Sequence, residues 1–437
     1  MPETLAVSSH SLNDAVDASH IRPSMTSFEL VAVLMALVAL AGWLNVKVLK
    51  ILPGVAMLIA GLAGAMLLFA AEVAFPSFAP LSQITGIING IDFTSTVTGY
   101  MLAFLLFAGA MQVDLKEMRR RWFSVGALAT LGVAGSILIV GFGLWAVAAR
   151  VGLPLPLSWA LVFGALISPT DPVAVLATVH HVRLSKTLQV VLEGEALFND
   201  GAGIVAFTAL LAVATGSDAL RPTAAVSGVL VQALGGLALG LAASAVVIRI
   251  MGTIDDFATE VSLSIALAMG VYAGAQALGL SGAIASVGAG MLFGGERAKE
   301  AMSGVTENYL RSFWTLVDQI LNALLFLLLG VEMIAVPFVT DQVPLLLAAI
   351  PLVLLARLAV VVPWGLYFRI RESERGATEI LCWGGLHGAL SLALALSIPQ
   401  GPERALILAV TYAVVAFSIT VQGLTFTSLV RRLHAPP

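Results

Sequence analysis

Three carboxylates and one amide lie in apolar sequence, where charge is rarely tolerated. Asp171 stands in the string Ile-Ser-Pro-Thr-Asp-Pro-Val, and Glu195, Asn199 and Asp200 stand in Glu-Gly-Glu-Ala-Leu-Phe-Asn-Asp-Gly. If these runs cross a membrane, each ionised group costs about 2.5–3.5 kcal/mol at mid-membrane, so it is rarely kept there without a use. Side-chain oxygens are ligands for hard cations, and carboxylates also bind protons. The predicted chemistry is binding and release of a cation or a proton.

Two prolines surround the first of these groups. Pro169 and Pro172 remove backbone donors and disfavour helix at the residues before them. We predict a helix broken within the membrane, where freed carbonyls, Thr170 and Asp171 line a cation site. The alternative interpretation is a helix that ends here, with Asp171 as an interfacial cap. Apolar sequence continues on both sides of the string, which favours the break.

The second acidic segment has helical spacing. Glu195 and Asn199 are four residues apart and share one helix face, while Asp200 lies about 100° round from Asn199. The alternative interpretation is a cytoplasmic helix start whose acids favour the positive end of the dipole. That interpretation fits Glu193 better than Asp200, which we expect about two turns deeper.

Two basic or titratable groups also lie in apolar spans. His387 stands among glycines, including Gly385, in Cys-Trp-Gly-Gly-Leu-His-Gly, which predicts a second break or a close helix crossing; a packing histidine is the alternative. Arg357 has apolar neighbours on both sides and needs an acidic partner, for which Glu195 is the first candidate. Snorkelling of Arg357 to the surface is the competing interpretation.

The composition requires a membrane protein. Of 437 residues 59% are hydrophobic and 11% are charged, with a mean hydropathy of +0.99, against about 25% charged residues in soluble domains. These values exclude a soluble domain, a disordered chain and a nucleic-acid partner. The continuously apolar runs argue against a β-barrel. The single cysteine, Cys382, excludes an intrachain disulfide, and we expect no cofactor.

We predict an all-α polytopic membrane protein of about 13 transmembrane helices. Residues 1–27 are expected to form a flexible polar leader, residues 28–430 a single transmembrane unit and residues 431–437 a short tail. The two breaks fall on the fifth and twelfth spans, which predicts inverted repeats with a transport site at the midplane. The predicted spans are 28–46, 51–71, 95–113, 123–149, 156–179, 187–214, 223–250, 258–277, 280–294, 312–336, 343–368, 378–398 and 403–427.

The distribution of basic residues predicts the orientation of these spans. With thirteen spans and the N-terminus outside, 17 of the 22 Lys and Arg residues fall in cytoplasmic segments and 4 in outer segments, while Arg357 lies within a span. Cytoplasmic segments of membrane proteins are rich in Lys and Arg. We therefore expect a multi-pass protein of the cell (inner) membrane with a cytoplasmic C-terminus.

The motifs resemble those of the monovalent cation/proton antiporters of the first cation:proton antiporter family, which includes NhaP-type sodium/proton antiporters and animal sodium/hydrogen exchangers. The similar strings follow one another in family order along most of the membrane region. They are Ser168-Pro-Thr-Asp-Pro-Val-Ala-Val, Glu193-Gly-Glu-Ala-Leu-Phe-Asn-Asp-Gly, Leu321-Asn-Ala-Leu-Leu-Phe-Leu-Leu-Leu-Gly-Val-Glu, Trp383-Gly-Gly-Leu-His-Gly-Ala-Leu-Ser and Phe417-Ser-Ile-Thr-Val-Gln-Gly.

The resemblance implies an NhaA-like antiporter fold with a core domain, a dimerisation domain and two broken helices that cross. It also implies a homodimer in the lipid bilayer. The family's cation- and proton-binding aspartate falls on Asp200, and its paired asparagine, typical of the electroneutral branch, falls on Asn199. The broken-helix pair falls on Thr170 and Asp171. The family's structural ion pair falls on Glu195 and Arg357.

Three positions depart from the family pattern. His387 stands where an arginine is usual, which predicts a stronger pH dependence because histidine titrates near pH 6.5. Ala196 and Ala108 stand where some archaeal relatives carry a serine and a glutamate. Because of these departures, the resemblance leaves the coordination sphere and the preferred cation open.

The predicted activity is antiport of a monovalent cation, Na⁺ or else Li⁺ or K⁺, for H⁺ by competition at Asp200. Na⁺ is then a transient ligand of Asp200, Asp171 and Thr170. A K⁺/H⁺ antiporter or an organic-anion transporter of the same fold is the first alternative. An intramembrane aspartyl protease using Asp171 and Asp200 is the remote one, because it leaves Arg357 and the paired breaks unexplained.

Overall fold

The computed structural model describes residues 27–74, 101–171, 184–216, 222–332 and 340–433. Every regular element in these ranges is a helix. In chain order the main helices are α1 Ser27–Leu44, α2 Pro53–Ala74, α3 Leu102–Gln112, α4 Trp122–Arg150, α5 Leu157–Ile167, α6 Lys186–Ala214, α7 Pro222–Met251, α8 Phe257–Ala277, α9 Gly282–Phe293, α10 Gly304–Glu332, α11 Val343–Arg371, α12 Ala377–Trp383, α13 Ala389–Leu396 and α14 Pro402–Leu433.

Eight of the helices in the described ranges are long and apolar enough to cross a membrane. These are α1, α4, α6, α7, α8, α10, α11 and α14. Shorter apolar stretches lie in α2, α3, α5 and α9. Each of the thirteen predicted spans contains at least one helix, but the number that cross the membrane stays a prediction. Residues 1–26 of the leader and 434–437 of the tail lie outside the described ranges, as do residues 95–100 of the third span, 172–179 of the fifth and 333–336 of the tenth.

The helices pack as two bundles that alternate along the chain. Helices α1–α3 pack with α7–α10, and α4–α6 pack with α11–α14. Phe107 of α3, Phe293 of α9 and Trp314 of α10 meet in the core of the first bundle. Leu192 of α6 and Phe368 of α11 belong to a core of the second. Both predicted breaks lie in the second bundle.

Helix α5 ends at Ile167, where the first break was predicted. Residues 168–171 are not helical, and the Ser168 hydroxyl donates a 2.6 Å hydrogen bond to the Gly164 carbonyl at the end of the helix. Pro169 provides no backbone N–H with which the helix could continue. Pro172, the other residue assigned to this break, lies outside the described residues.

The second break separates α12 from α13. Residues 384–388 leave the helical conformation between Trp383 and Ala389, as the sequence predicts. Glycine weakens helices because its backbone is the most costly to order, and three of these five positions are glycine. The break is therefore bordered by a helix on each side, α12 before it and α13 after it.

Helix α10 is held against α2 by a close crossing. An added Cβ on Gly330 would lie 2.7 Å from the backbone nitrogen of Leu62, and an added Cβ on Gly61 would collide with the Leu327 carbonyl. Small residues allow membrane helices to bring their backbones together in this way. The position of α10 within the first bundle is therefore set by backbone contact.

Candidate functional site

The non-helical residues 168–171 after α5, called the first break below, and residues 384–388, the second break, are joined by hydrogen bonds. The backbone N–H of Asp171 donates to the Leu386 carbonyl at 2.6 Å. His387 Nδ1 lies 3.2 Å from the Pro169 carbonyl, and because a carbonyl can only accept, Nδ1 carries the proton of this bond. Backbone that is not helical within a membrane needs hydrogen-bond partners inside the protein. Here each break supplies such partners to the other.

His387 also joins this crossing to α14. Its backbone N–H donates a 2.8 Å hydrogen bond to the hydroxyl of Ser418, which begins a π-helical segment, Ser418–Gly423. Such local widenings of a helix often occur at functional sites. The His387 side chain is buried. In this arrangement it packs and ties together the broken segments.

Asn199 of α6 holds Thr170 of the first break. The Asn199 Nδ2 donates to Thr170 Oγ1 at 2.9 Å, and the Thr170 backbone N–H donates to Asn199 Oδ1 at 3.4 Å. Both residues are buried. The amide thus satisfies a backbone donor that the break releases, and it fixes Thr170 beside α6.

Asp200 and Asp171 form a pair of like charges at this crossing. The two carboxylates are close enough to repel each other, and both side chains are partly exposed. Asp200 directly follows Asn199, which places it at the end of the first break. Two neighbouring carboxylates attract a cation, which relieves their mutual repulsion.

Glu195 and Arg357 lie together as a buried ion pair beside the same crossing. The guanidinium donates to both carboxylate oxygens of Glu195, with Nη2 lying 2.8 Å from Oε2. Arg357 also donates to the Leu381 carbonyl from Nε at 3.2 Å and from Nη2 at 2.9 Å. The side chains are 2% and 8% exposed for Glu195 and Arg357. This pair joins α6, α11 and α12.

Two glycines of the second break leave room for these charges. An added Cβ at Gly388 would lie 3.0 Å from the carboxyl carbon of Asp171, and one at Gly385 would lie 2.8 Å from Cζ of Arg357. At either position a side chain larger than glycine would force Asp171 or Arg357 to shift. The glycines therefore let the backbone of the second break pass directly over Asp171 and Arg357.

One acidic residue at the site was missed by the sequence reasoning. Asp318 of α10 lies close enough to Asp171 for their charges to repel each other. Asn322, one turn along the helix, donates from Nδ2 to Asp318 Oδ1 at 3.0 Å. The signal was available, because Asp318 is a charged residue within the predicted span 312–336. It lies near the start of that span, where an interfacial position is easily assumed.

The groups that the site offers to a cation are side-chain oxygens. No group of three or more His, Cys, Asp or Glu side chains in the described ranges is placed to hold a metal ion. Thr170 Oγ1 and the carboxylates of Asp171 and Asp200 supply hard oxygen donors at one crossing. Hard cations prefer such donors. The arrangement suits a cation that is bound transiently as a substrate.

The end of α5 meets the broken segment between α12 and α13 at charged residues, with a second bundle of helices packed beside them. Interrupted helices that meet at a charged site are typical of secondary transporters. The family model described as "Sodium/hydrogen exchanger, transmembrane" matches residues 33–432. The Na(+)/H(+) antiporter NhaP of Pseudomonas aeruginosa is 38% identical over 415 residues, which cover 93% of this chain and 97% of that protein. The chain belongs to the sodium/hydrogen exchanger family.

Other comparisons agree with this assignment. The Na(+)/H(+) antiporter NhaH of Halobacillus aidingensis is 34% identical over 348 residues, covering 78% of this chain and 84% of that protein. The solved structure of the sodium proton antiporter MjNhaP1 from Methanocaldococcus jannaschii at pH 8 matches with a TM-score of 0.72. That match covers 94% of this chain and 99% of the other at 20% identity, and it shows a shared fold.

Proposed function

We propose that this protein exchanges Na⁺ for H⁺ by competition of the two ions for Asp200, with Asp171, Thr170 and Asn199 completing the site. The observation that carries the proposal is the like-charge pair of Asp171 and Asp200 at the crossing. The nearby permanent cation, Arg357, is bound to Glu195. A mobile cation or a proton that binds at this pair relieves the repulsion between the two carboxylates.

Competition at one site couples the two fluxes. A cavity that holds an ionised aspartate is costly to carry through the membrane, while a site neutralised by a proton or by Na⁺ is cheaper. The site then crosses in either neutralised form and the two ions move in opposite directions. We propose that the bundle of α4–α6 and α11–α14 moves against the bundle that contains α10, giving alternating access.

The test is dissipation of a pH gradient in proteoliposomes by Na⁺, Li⁺ and K⁺ in turn. We expect Na⁺ to dissipate the gradient with the wild-type protein and not with Asp200→Asn. Asp341→Asn is the matched control, because the same chemical change falls on an exposed residue before α11, and it should leave exchange unchanged. Full Na⁺-dependent proton flux in Asp200→Asn that runs as folded protein on gel filtration would refute the proposed site.

The same experiment separates the alternatives. Gradient dissipation by K⁺ alone would indicate a K⁺/H⁺ antiporter. An organic anion is disfavoured because the net charge of the Asp171 and Asp200 pair repels it. The protease interpretation accounts for two acids and gives no role to the bond between Asn199 and Thr170 or to the crossing of the breaks.

We further propose a homodimer in the cell membrane, with the N-terminus outside. The family resemblance supports the dimer, and the distribution of Lys and Arg supports the orientation. In a Cys382→Ala background, an impermeant maleimide applied to intact cells should label Asp341→Cys and spare Lys299→Cys. The reverse labelling would overturn the orientation, and a monomeric mass in a native membrane-protein spectrum would overturn the dimer.

A further inference from the structure

Asp318 approaches the crossing of the breaks from the other bundle. The charge of Asp171 interacts both with that of Asp200 and with that of Asp318, so the three carboxylates are neighbours. Helix α10 also contacts α13, the helix that follows the second break. The three carboxylates therefore form a series that begins on the first bundle and ends on the second.

The face of α10 that carries Asp318 is turned toward the site. Asp318, Asn322, Leu325 and Leu329 recur at helical spacing on one face. Leu325 and Leu329 are buried in the same apolar cluster as Leu392 of α13. The packing of this face therefore aims Asp318 at the broken helices and not at lipid.

Asn322 fixes the Asp318 carboxylate on α10. Its Nδ2 lies 3.0 Å both from Asp318 Oδ1 and from the Asp318 carbonyl, and Asn322 is 8% exposed. Helix α10 is in turn anchored by its close crossing with α2. A carboxylate this well held keeps its position while a separate bundle moves.

We propose that Asp318 is a cation relay residue, which binds the entering Na⁺ and passes it to Asp171 and Asp200. The proposal rests on the exchange function proposed above. A cation that leaves water needs a replacement for part of its hydration, and a partly exposed carboxylate beside Asp171 provides it. Because Asp318 belongs to the first bundle, it serves the site at entry and does not travel with the ion.

The test is the Na⁺ dependence of proton flux in proteoliposomes containing Asp318→Asn. Asparagine keeps the shape and the acceptor for Asn322 and removes the charge. We expect the apparent KM for Na⁺ to rise about tenfold while kcat stays within about twofold of wild type. Asp318→Glu should recover most of the affinity, and Asp341→Asn should match the wild type.

The outcomes separate this inference from the proposed function. If the wild type exchanges Na⁺ for H⁺ and Asp318→Asn keeps the wild-type KM, the relay is wrong and the exchange function stands. A fall in kcat at unchanged KM, or a loss that Asp318→Glu does not recover, indicates a structural role and also overturns the relay. Absence of Na⁺-dependent proton flux in the wild type would overturn the exchange function itself.

Discussion

Glu195 and Asp200 lie about one and a half turns apart on α6, yet their surroundings are opposite. Glu195 is buried and bound through both oxygens by Arg357. Asp200 is partly exposed, and its charged neighbour is another acid, Asp171. Glu195 thus has a permanent counter-charge, while the charged neighbour of Asp200 has the same sign as Asp200 itself.

Under the proposed function, the pair of Glu195 and Arg357 stabilises the fold, and the pair of Asp171 and Asp200 exchanges ions. Removing one partner of a buried ion pair leaves the other charge buried and unpaired, which strongly lowers the free energy of unfolding. A like-charge pair destabilises the empty protein and is useful because binding relieves the repulsion. Strain of this kind is common at functional sites. Mutations in the two pairs should therefore have opposite effects on stability.

The largest expected change in stability is for Arg357→Ala. It leaves Glu195 buried and unpaired, and we expect a loss of about 3–5 kcal/mol in the free energy of unfolding. Unfolding in mixed detergent and SDS measures this loss. Glu195→Leu combined with Arg357→Met should be less destabilised than Arg357→Ala. An unchanged unfolding midpoint in Arg357→Ala would show that the pair is not structural.

A smaller change is expected for Gly388→Ala. The added methyl group meets the carboxylate of Asp171, so we expect about 1–3 kcal/mol of destabilisation and a marked loss of Na⁺-dependent proton flux. Gly228→Ala is the control, because an added Cβ there meets no atom within 4 Å. Equal flux in Gly388→Ala and the control would contradict the close approach of the two breaks.

Asp200→Asn should change stability in the opposite direction. The substitution removes the repulsion between Asp200 and Asp171, so we expect a gain of about 1 kcal/mol in Na⁺-free buffer. The same unfolding assay measures it, with Asp341→Asn as the control. A clear loss of stability would mean that Asp200, like Glu195, has a counter-charge in the folded protein.

The smallest effect is expected from a carboxylate outside the membrane-spanning helices. Asp256 caps α8, and its Oδ2 accepts from the Thr259 hydroxyl at 2.5 Å and from the Thr259 backbone N–H at 2.9 Å. These bonds lower the pKa of Asp256 below its ordinary value of 3.8. Its contribution is therefore complete above that value and is lost as the pH falls through the lower folded pKa.

Asp256→Asn tests this pH dependence, because asparagine also caps helices but does not titrate there. As the pH falls below the ordinary aspartate range, the thermal unfolding midpoint of the wild type should drop slightly more than that of Asp256→Asn. Parallel curves would show that the cap contributes nothing through its charge.

Much of this architecture could be predicted from the sequence because charge and proline are rare in membrane spans. The strings around Asp171 and His387 indicated two breaks, and residues 384–388 confirm the second. Arg357 lies in an apolar span and therefore needed an acidic partner, and few acidic residues were predicted within the membrane. Periodicity could not show that Asn199 would bind Thr170 through both edges of its amide, because that contact depends on how two helices cross. Asp318 could be recognised as a residue of the site only once the packing of α10 against the other bundle was known.

The central claim is that Na⁺ and H⁺ compete for one site at Asp200. The most direct measurement is the apparent KM for Na⁺ in proteoliposomes as a function of pH. Competition predicts a KM that rises toward about tenfold per unit of falling pH, while the maximal rate at saturating Na⁺ stays constant. A constant KM with a maximal rate that falls with pH would contradict the account, because the proton would then act somewhere other than the cation site.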